Sequence, residues 1–274
     1  MKLAIKTLAV AGLALVLAAR PSLAGDGKTF DKKIIVEEDT KWWGAALSTG
    51  WDSLYMFRGV NVLSNDHYGS GIYWTDLSFT WNITENDSLS VGTWIAFGTG
   101  STDYKELDVY TDYTHTWGDF SLSFGYVFYD VWSSPVYSHE LSVTAAYEFD
   151  LGFMTLTPSL FYAFNVGPGL DNGGFTPEAS SWLAASVTGN IPVYKKIIAI
   201  APWITFGTNF RYNSNDDGHF FTGANNLELG IGIPVQINDV ISLYAYGAYS
   251  NQWYNLLGTE PSTFWGGASV TFSF

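Results

Sequence analysis

The chain ends Ala268-Ser269-Val270-Thr271-Phe272-Ser273-Phe274, with large apolar side chains at alternate positions and a bare phenylalanine carboxylate at its end. In a strand, successive side chains point to opposite faces. Ala268, Val270, Phe272 and Phe274 then share one face, and Ser269, Thr271 and Ser273 the other. Chain termini ordinarily fray, and a terminal aromatic gains nothing by fraying. The ending decides the fold only if the preceding chain obeys the same rule.

It does, from Trp42 onward. Leu89, Val91, Ile95 and Phe97 alternate with Ser90, Gly92 and Ala96; Phe120, Leu122, Phe124, Tyr126 and Phe128 alternate with Ser121, Ser123 and Gly125. Leu141, Val143, Ala145, Tyr147 and Phe149 oppose Glu140, Ser142, Thr144 and Glu148, and Leu227 to Ile237 repeats the pattern against Glu228, Gly230, Gly232 and Gln236. A helix would scatter these residues around its circumference, whereas a period of two segregates them. Punctuation by turn residues divides the chain into about twelve segments: 43–58, 69–81, 88–98, 104–116, 120–131, 138–149, 153–165, 180–189, 197–211, 223–237, 240–251 and 262–274. Most are longer than the five or six residues usual for globular strands and match the ~9–11 residues, plus protrusion, of a tilted strand crossing a bilayer.

The start of the chain sets the compartment. Lys2 and Lys6 precede the apolar run from Thr7 to Ala19, and Ser22-Leu23-Ala24 supplies a small-x-small cleavage site. This is the pattern of a secretory signal, residues 1–24, followed by a polar periplasmic lead-in at 25–41 and a barrel at 42–274. The leader takes Lys2, Lys6 and Arg20 with it, so the net charge moves from −14 to −17. Such a balance opposes nucleic acid and anionic surfaces as partners. With no cysteine, a disulfide scaffold and a Cys-ligated metal site are excluded. Aromatic residues make up 18% of the chain and charged residues only 14%, against about 25% charge in ordinary globular chains.

A soluble sandwich also alternates, but its outer face carries Lys, Arg and Glu. Here the polar face is Ser, Thr, Gly and Tyr with some carboxylates, and beyond Lys41 only Arg58, Lys105, Lys195, Lys196 and Arg211 are basic. Short connections alternate with longer ones, as in bacterial outer-membrane barrels. The reading is therefore an all-β, antiparallel, up-and-down transmembrane barrel of about twelve strands, integral to the bacterial outer membrane. In lipid no sheet edge can stay unpaired, so the last strand closes on the first and Phe272 and Phe274 face lipid near the periplasmic rim. The same ending resembles the C-terminal signature that the barrel-assembly machinery reads. Outer-membrane lipids and lipopolysaccharide are the other expected partners, with small solutes passing through. Trp42, Trp43, Trp81, Trp117, Trp132, Trp253 and Tyr254 are placed in the interfacial girdles.

That phasing turns Asp52, Asp76, Glu106, Asp108, Asp112, Glu140, Glu148 and Glu228 inward, opposed by Arg58 and Arg211. An acid-rich lumen repels anions and concentrates cations. Asp52, Asp76, Asp108, Asp112 and Glu228 are the candidate selectivity residues, and Arg58 and Arg211 would pair in the lumen or narrow its mouth. Trp74, Trp94, Tyr110, Trp203, Tyr244 and Tyr246 also point inward, as bore filling or as a stacking path. Twelve strands lie between a filled eight-stranded interior and an aqueous sixteen-stranded one.

Catalysis finds little support. His139 lies beside Ser138 and Glu140, but neighbours along a strand point to opposite faces and cannot form a relay. No cofactor, metal or catalytic residue is expected. The primary reading is a narrow, weakly cation-preferring porin; the alternatives are a non-conducting structural or adhesion barrel acting through its outer loops, and a lipid-modifying enzyme.

One stretch goes beyond pattern. Ser48-Thr-Gly-Trp-Asp-Ser-Leu-Tyr-Met-Phe-Arg-Gly-Val-Asn61 resembles the first-strand signature of the TorF-like porins, in which the strand ends aromatic-x-Phe-Arg-Gly; Tyr55, Phe57, Arg58 and Gly59 match it. The resemblance implies an outer-membrane barrel and leaves the solute open. The continuation Val60-Asn-Val-Leu63 is less polar than that family's. On this reading Arg58 is the last inward residue of strand one, and Gly59 relaxes the backbone where the first outer loop begins.

Overall fold

Strands with one apolar and one polar face need a neighbour on each side and a different solvent on each face. The computed structural model, which describes residues 42–63, 71–100, 103–133, 136–174, 176–195, 197–215, 217–253 and 262–274, meets both needs by closure. The expected leader and lead-in, and Tyr254, lie outside the described residues. Twelve long strands follow in chain order: β1 Trp43–Asp52, β2 Ile72–Asn82, β3 Asp87–Gly98, β4 Lys105–Trp117, β5 Phe120–Val131 and β6 Val136–Tyr147. The second half is β7 Thr155–Gly167, β8 Ser181–Tyr194, β9 Ile198–Ser214, β10 Phe220–Gln236, β11 Ile241–Gln252 and β12 Ser262–Ser273. Each pairs antiparallel with the next, the short Phe149–Asp150 segment adds to the sheet beside β7, and β12 returns to β1.

The closing seam runs from Ala46 opposite Ser273 to Asp52 opposite Gly267. Beyond it, the Phe274 amide donates to the Ala45 carbonyl at 2.9 Å. The final residue is thus paired, and its ring is exposed on the outer face. On the other face, the Ser48 and Thr271 hydroxyls meet at 2.9 Å inside the barrel. The terminal segment sorts its side chains as its alternation requires.

Exposed Leu77, Phe79, Val109, Phe124, Leu141, Ile204, Ile231 and Ile233 form a belt around the outside. Trp43, Trp81 and Trp117 mark one rim, and Trp132 and Trp253 the other. In water such a patch would be far beyond what a soluble monomer exposes; against hydrocarbon it matches its solvent. The barrel is an integral outer-membrane protein. Its β1 start and β12 end lie on one rim, that of the short turns, as an even strand number requires. Ile231→Arg, in the middle of β10, should therefore cost about 2–4 kcal/mol in reversible unfolding from vesicles, and Trp132→Arg at the rim about 1 kcal/mol or less. Equal costs would place Ile231 outside the hydrocarbon.

Strand one is shorter than its sequence suggests. β1 stops at Asp52, and the chain then leaves the wall and folds into the bore. Leu54, Tyr55, Met56 and Phe57 are four consecutive large apolar residues, with no polar partner at alternate positions. A run of that kind suits surroundings that are apolar on both sides, and the inside of the hairpin supplies them.

Candidate functional site: a bore crossed by a hairpin

After Asp52, Ser53 stays on the wall through two bonds to Gly266: its amide donates to the Gly266 carbonyl at 2.8 Å, and its hydroxyl accepts from the Gly266 amide at 3.0 Å. Met56–Phe57 then pairs with Val60–Asn61 around a two-residue turn made by Arg58 and Gly59. Both turn residues have positive φ, 52° at Arg58 and 81° at Gly59. Tight hairpins favour two left-handed residues because that turn matches the strand twist. Glycine adopts the conformation freely, but arginine does so at a steric cost. A Cβ at position 59 would also sit 2.7 Å from Asn225 Nδ2 and 2.8 Å from Asn226 Cγ.

What holds Arg58 in that conformation is its surroundings. Its Nη1 and Nη2 donate to Glu140 Oε2 and Oε1 at 2.7 and 2.6 Å, a two-pronged pair in which both residues are at most 3% exposed. The guanidinium lies 4.3 Å from the Tyr212 ring centre and 4.8 Å from that of Phe57. Tyr129 and Tyr212 hydroxyls also donate to the Glu140 carboxylate, at 3.2 and 3.0 Å. The Arg58 carbonyl accepts from Asn213 and Asn225 Nδ2 at 3.0 and 3.1 Å, and the Gly59 carbonyl accepts from Gln252 Nε2 at 2.7 Å. Tyr55 donates to Glu106 at 2.6 Å, and Met56 packs with Trp203 and Trp265. These partners stand on β4, β5, β6, β9, β10, β11 and β12, so the hairpin joins opposite walls of the barrel near its extracellular end.

Several inward aromatics lie against glycines of the wall. Tyr110 lies directly over Gly92 on the adjacent strand, where a Cβ would meet its hydroxyl at 2.3 Å. Trp203 covers Gly230 in the same way, at 1.9 Å. Trp74 covers Gly50, and Tyr244 covers Gly232. Glycine on the neighbouring strand lets each ring lie flat along the wall. Trp74, Trp94 and Tyr110 pack in one buried cluster with Tyr55 of the hairpin, and Trp203 and Trp265 pack with Met56, so hairpin and rings together occupy this end of the bore.

Most candidate carboxylates are held by a phenol or an indole. Tyr246 donates to Asp52 at 2.8 Å, Tyr110 to Asp76 at 2.8–2.9 Å, and Trp203 Nε1 to Glu228 at 2.7 Å. Asp52, Asp108 and Glu228 are buried in this network, whereas Asp76 and Asp112 keep partial exposure toward the lumen. The lower wall carries hydroxyl pairs instead of charges: Thr80 with Ser90 at 2.9 Å, Thr114 with Ser123 at 2.7 Å and Ser186 with Thr205 at 2.9 Å.

Arg211 is not brought to this site. It is exposed, with φ 60°, on a bulge of β9 where the register to β8 shifts between Ser181 and Trp182. One extra residue reverses the alternation. Asn209 Oδ1 secures the bulge by accepting from the amides of Tyr212 and Asn213 at 2.7 and 2.8 Å. Arg211 therefore turns away, and Tyr212 and Asn213 take the inward places. Sequence reasoning also missed Trp182, Trp265 and the amides of Asn209, Asn213, Asn225 and Asn226, all buried. Asparagine is disfavoured inside strands, so four of them in β9 and β10 were a usable signal. His139 points outward and meets Tyr126 at 2.7 Å, whereas Ser138 points inward to Asn165 at 2.9 Å, so no His-Ser-Glu relay forms.

Neither a protein-family model nor a curated relative matches the chain. Among solved structures, an outer membrane channel from Pseudomonas putida F1 is similar at 11% identity, covering 89% of this chain and 99% of that one, with a TM-score of 0.58. The NanC porin is similar at 11% identity, covering 83% and 98%, with a TM-score of 0.52. At these identities the likeness is one of fold: an outer-membrane barrel of the same size and closure.

Proposed function

We propose that the protein is a narrow diffusion channel for small solutes with weak cation preference, and that it belongs with the TorF-like porins whose Tyr55-x-Phe57-Arg58-Gly59 signature it carries. The observation that supports this most is the charge of the bore. Asp52, Asp76, Glu106, Asp108, Asp112, Glu140 and Glu228 stand on its wall, and Arg58 is the single basic residue the hairpin brings to them. Solutes would pass the hydroxyl-lined lower bore and squeeze beside the hairpin by diffusion, without a cofactor or an energy source. The likeness in fold to a channel and a porin agrees with this reading.

Reversal potential under a KCl gradient in a planar bilayer tests it. Wild-type barrel should favour potassium, and Asp76→Asn with Asp112→Asn should lower the cation-to-anion permeability ratio about twofold or more. These two acids are chosen because their partial exposure lets their field reach a passing ion. Anion preference in the wild type would sink the proposal.

The hairpin's ties to opposite walls favour a second reading, a non-conducting barrel that acts through its outer loops. Properly folded protein without measurable conductance, before and after hairpin removal, would establish that reading instead.

A further inference from the structure

The outer surface of the barrel carries a second feature that a channel does not use. At the extracellular rim, the segment after β7 turns over the end of the wall. Asn165, on the bore side, holds its far end: its Nδ2 donates to Thr176 Oγ1 at 2.6 Å and to the Pro177 carbonyl at 3.1 Å, and its Oδ1 accepts from the Gly167 amide at 2.9 Å. The Gly173 carbonyl accepts from the Tyr137 amide at 3.0 Å, tying the segment to β6. Between this segment and the strands lies an open depression of about 510 Å³, lined by Tyr126, Tyr137, His139, Pro168, Asn172 and Glu178 among others.

The chemistry of the lining is specific. Tyr126 and Tyr137 are exposed at 36% and 41% and offer ring faces and hydroxyls. His139 Nδ1 meets the Tyr126 hydroxyl at 2.7 Å, and the imidazole is flanked by the Phe128 ring at 5.0 Å between centroids. Its orientation is set, and its Nε2 has no partner among the described residues. The Glu178 carboxylate has none there either, and no lysine or arginine lines the cavity. Aromatic faces cover the C–H side of a pyranose, and carboxylate, amide and imidazole groups take up hydroxyl or ammonium donors. Without a cation, the site disfavours phosphate and uronate.

We propose that this depression is a saccharide-binding site, selective for neutral or amino sugars over anionic ones, with Glu178 accepting from the sugar's hydroxyls or ammonium and Tyr137, at the rim end of β6, stacking on its ring. The sugar could belong to a glycolipid of the outer leaflet or arrive free from outside. The site stands on the outer wall and does not rest on the channel reading.

The test uses the full-length barrel in nanodiscs and saturation-transfer NMR. In one arm, phosphatidylcholine discs receive β-1,4-linked glucosamine disaccharide, maltose or galacturonic acid disaccharide. In the other, the discs contain purified lipopolysaccharide, and contacts from its sugar protons to the protein are read. Binding of glucosamine disaccharide or maltose in the first arm assigns a free sugar; sugar contacts in the second arm alone assign the glycolipid. In either case Glu178→Gln should weaken binding about tenfold, the scale of a charge-assisted hydrogen bond, and Tyr137→Ala by a similar factor, with single-channel conductance unchanged. No sugar contact in either arm overturns the proposal. So does equal binding of the galacturonic acid disaccharide, or undiminished binding by both variants in a folded barrel.

Discussion

Replacing Tyr55–Asn61 with a flexible Gly-Ser linker of equal length, together with Glu140→Gln, should raise single-channel conductance at least about fivefold, because the narrowest section dominates the resistance of a pore. The Glu140→Gln change accompanies the replacement so that no buried carboxylate is left without its guanidinium. Two features make a large effect the expected one. The hairpin is anchored to strands on opposite sides of the barrel, from Glu106 on β4 to Gln252 on β11. The inward rings lie along the wall over Gly50, Gly92, Gly230 and Gly232, whereas the hairpin extends from one wall to the other. Planar-bilayer recordings of folded protein, checked by heat-modifiable mobility, read the result. Unchanged conductance would place the narrowest section at Trp203, Tyr244 and Tyr246, where the Tyr246 ring stands 6.1 Å from that of Trp203 and 5.8 Å from that of Tyr244. The same variant removes one positive and one negative charge, Arg58 and Glu140, so its cation preference should stay close to that of the wild type while Asp76 and Asp112 remain.

The wall of this barrel was legible in the sequence, and the hairpin was not, for a physical reason. A strand with lipid on one face and a polar bore on the other has to alternate, and each residue reports its side independently of its partners. Phe274 could be assigned to the outside and Thr271 to the inside with no knowledge of β1. The hairpin depends on contacts far along the chain: Arg58 pairs with Glu140 and hydrogen-bonds through its carbonyl to Asn213 and Asn225. Its positive φ cannot be read from an arginine. The local trace it does leave, the unbroken apolar run Leu54–Phe57, reads equally as the end of a strand. Arg211 failed in another way: alternation counts residues, and a single bulge secured by Asn209 shifts the count by one. The acids were placed on the correct face, but alternation could not tell buried Asp108 and Glu228 from half-exposed Asp76 and Asp112. That difference depends on which rings and amides stand beside each carboxylate.

The second large effect concerns the ion pair that the hairpin carries. Arg58→Ala should cost about 3–5 kcal/mol, whereas Arg58→Met combined with Glu140→Gln should cost far less. The cost of the single variant comes mainly from what stays behind: a Glu140 carboxylate 1% exposed, stripped of its two-pronged partner and left with two phenol donors. Glutamine keeps an acceptor for the Tyr129 and Tyr212 hydroxyls and carries no charge, so the double variant removes the penalty without orphaning those groups. A double-mutant cycle on urea unfolding from vesicles isolates the coupling between positions 58 and 140. Because the hairpin is a local element, part of the cost can appear as undocking before the wall unfolds. Protease sensitivity at Leu54–Val62 separates the two: in Arg58→Ala it should rise at urea concentrations where the barrel is still folded, and in the double variant it should return toward wild type. If Arg58→Ala and the double variant were equally stable and equally protected, the pair would be incidental to docking, and the hairpin would be held by its carbonyl contacts with Asn213, Asn225 and Gln252 and by the packing of Met56 alone.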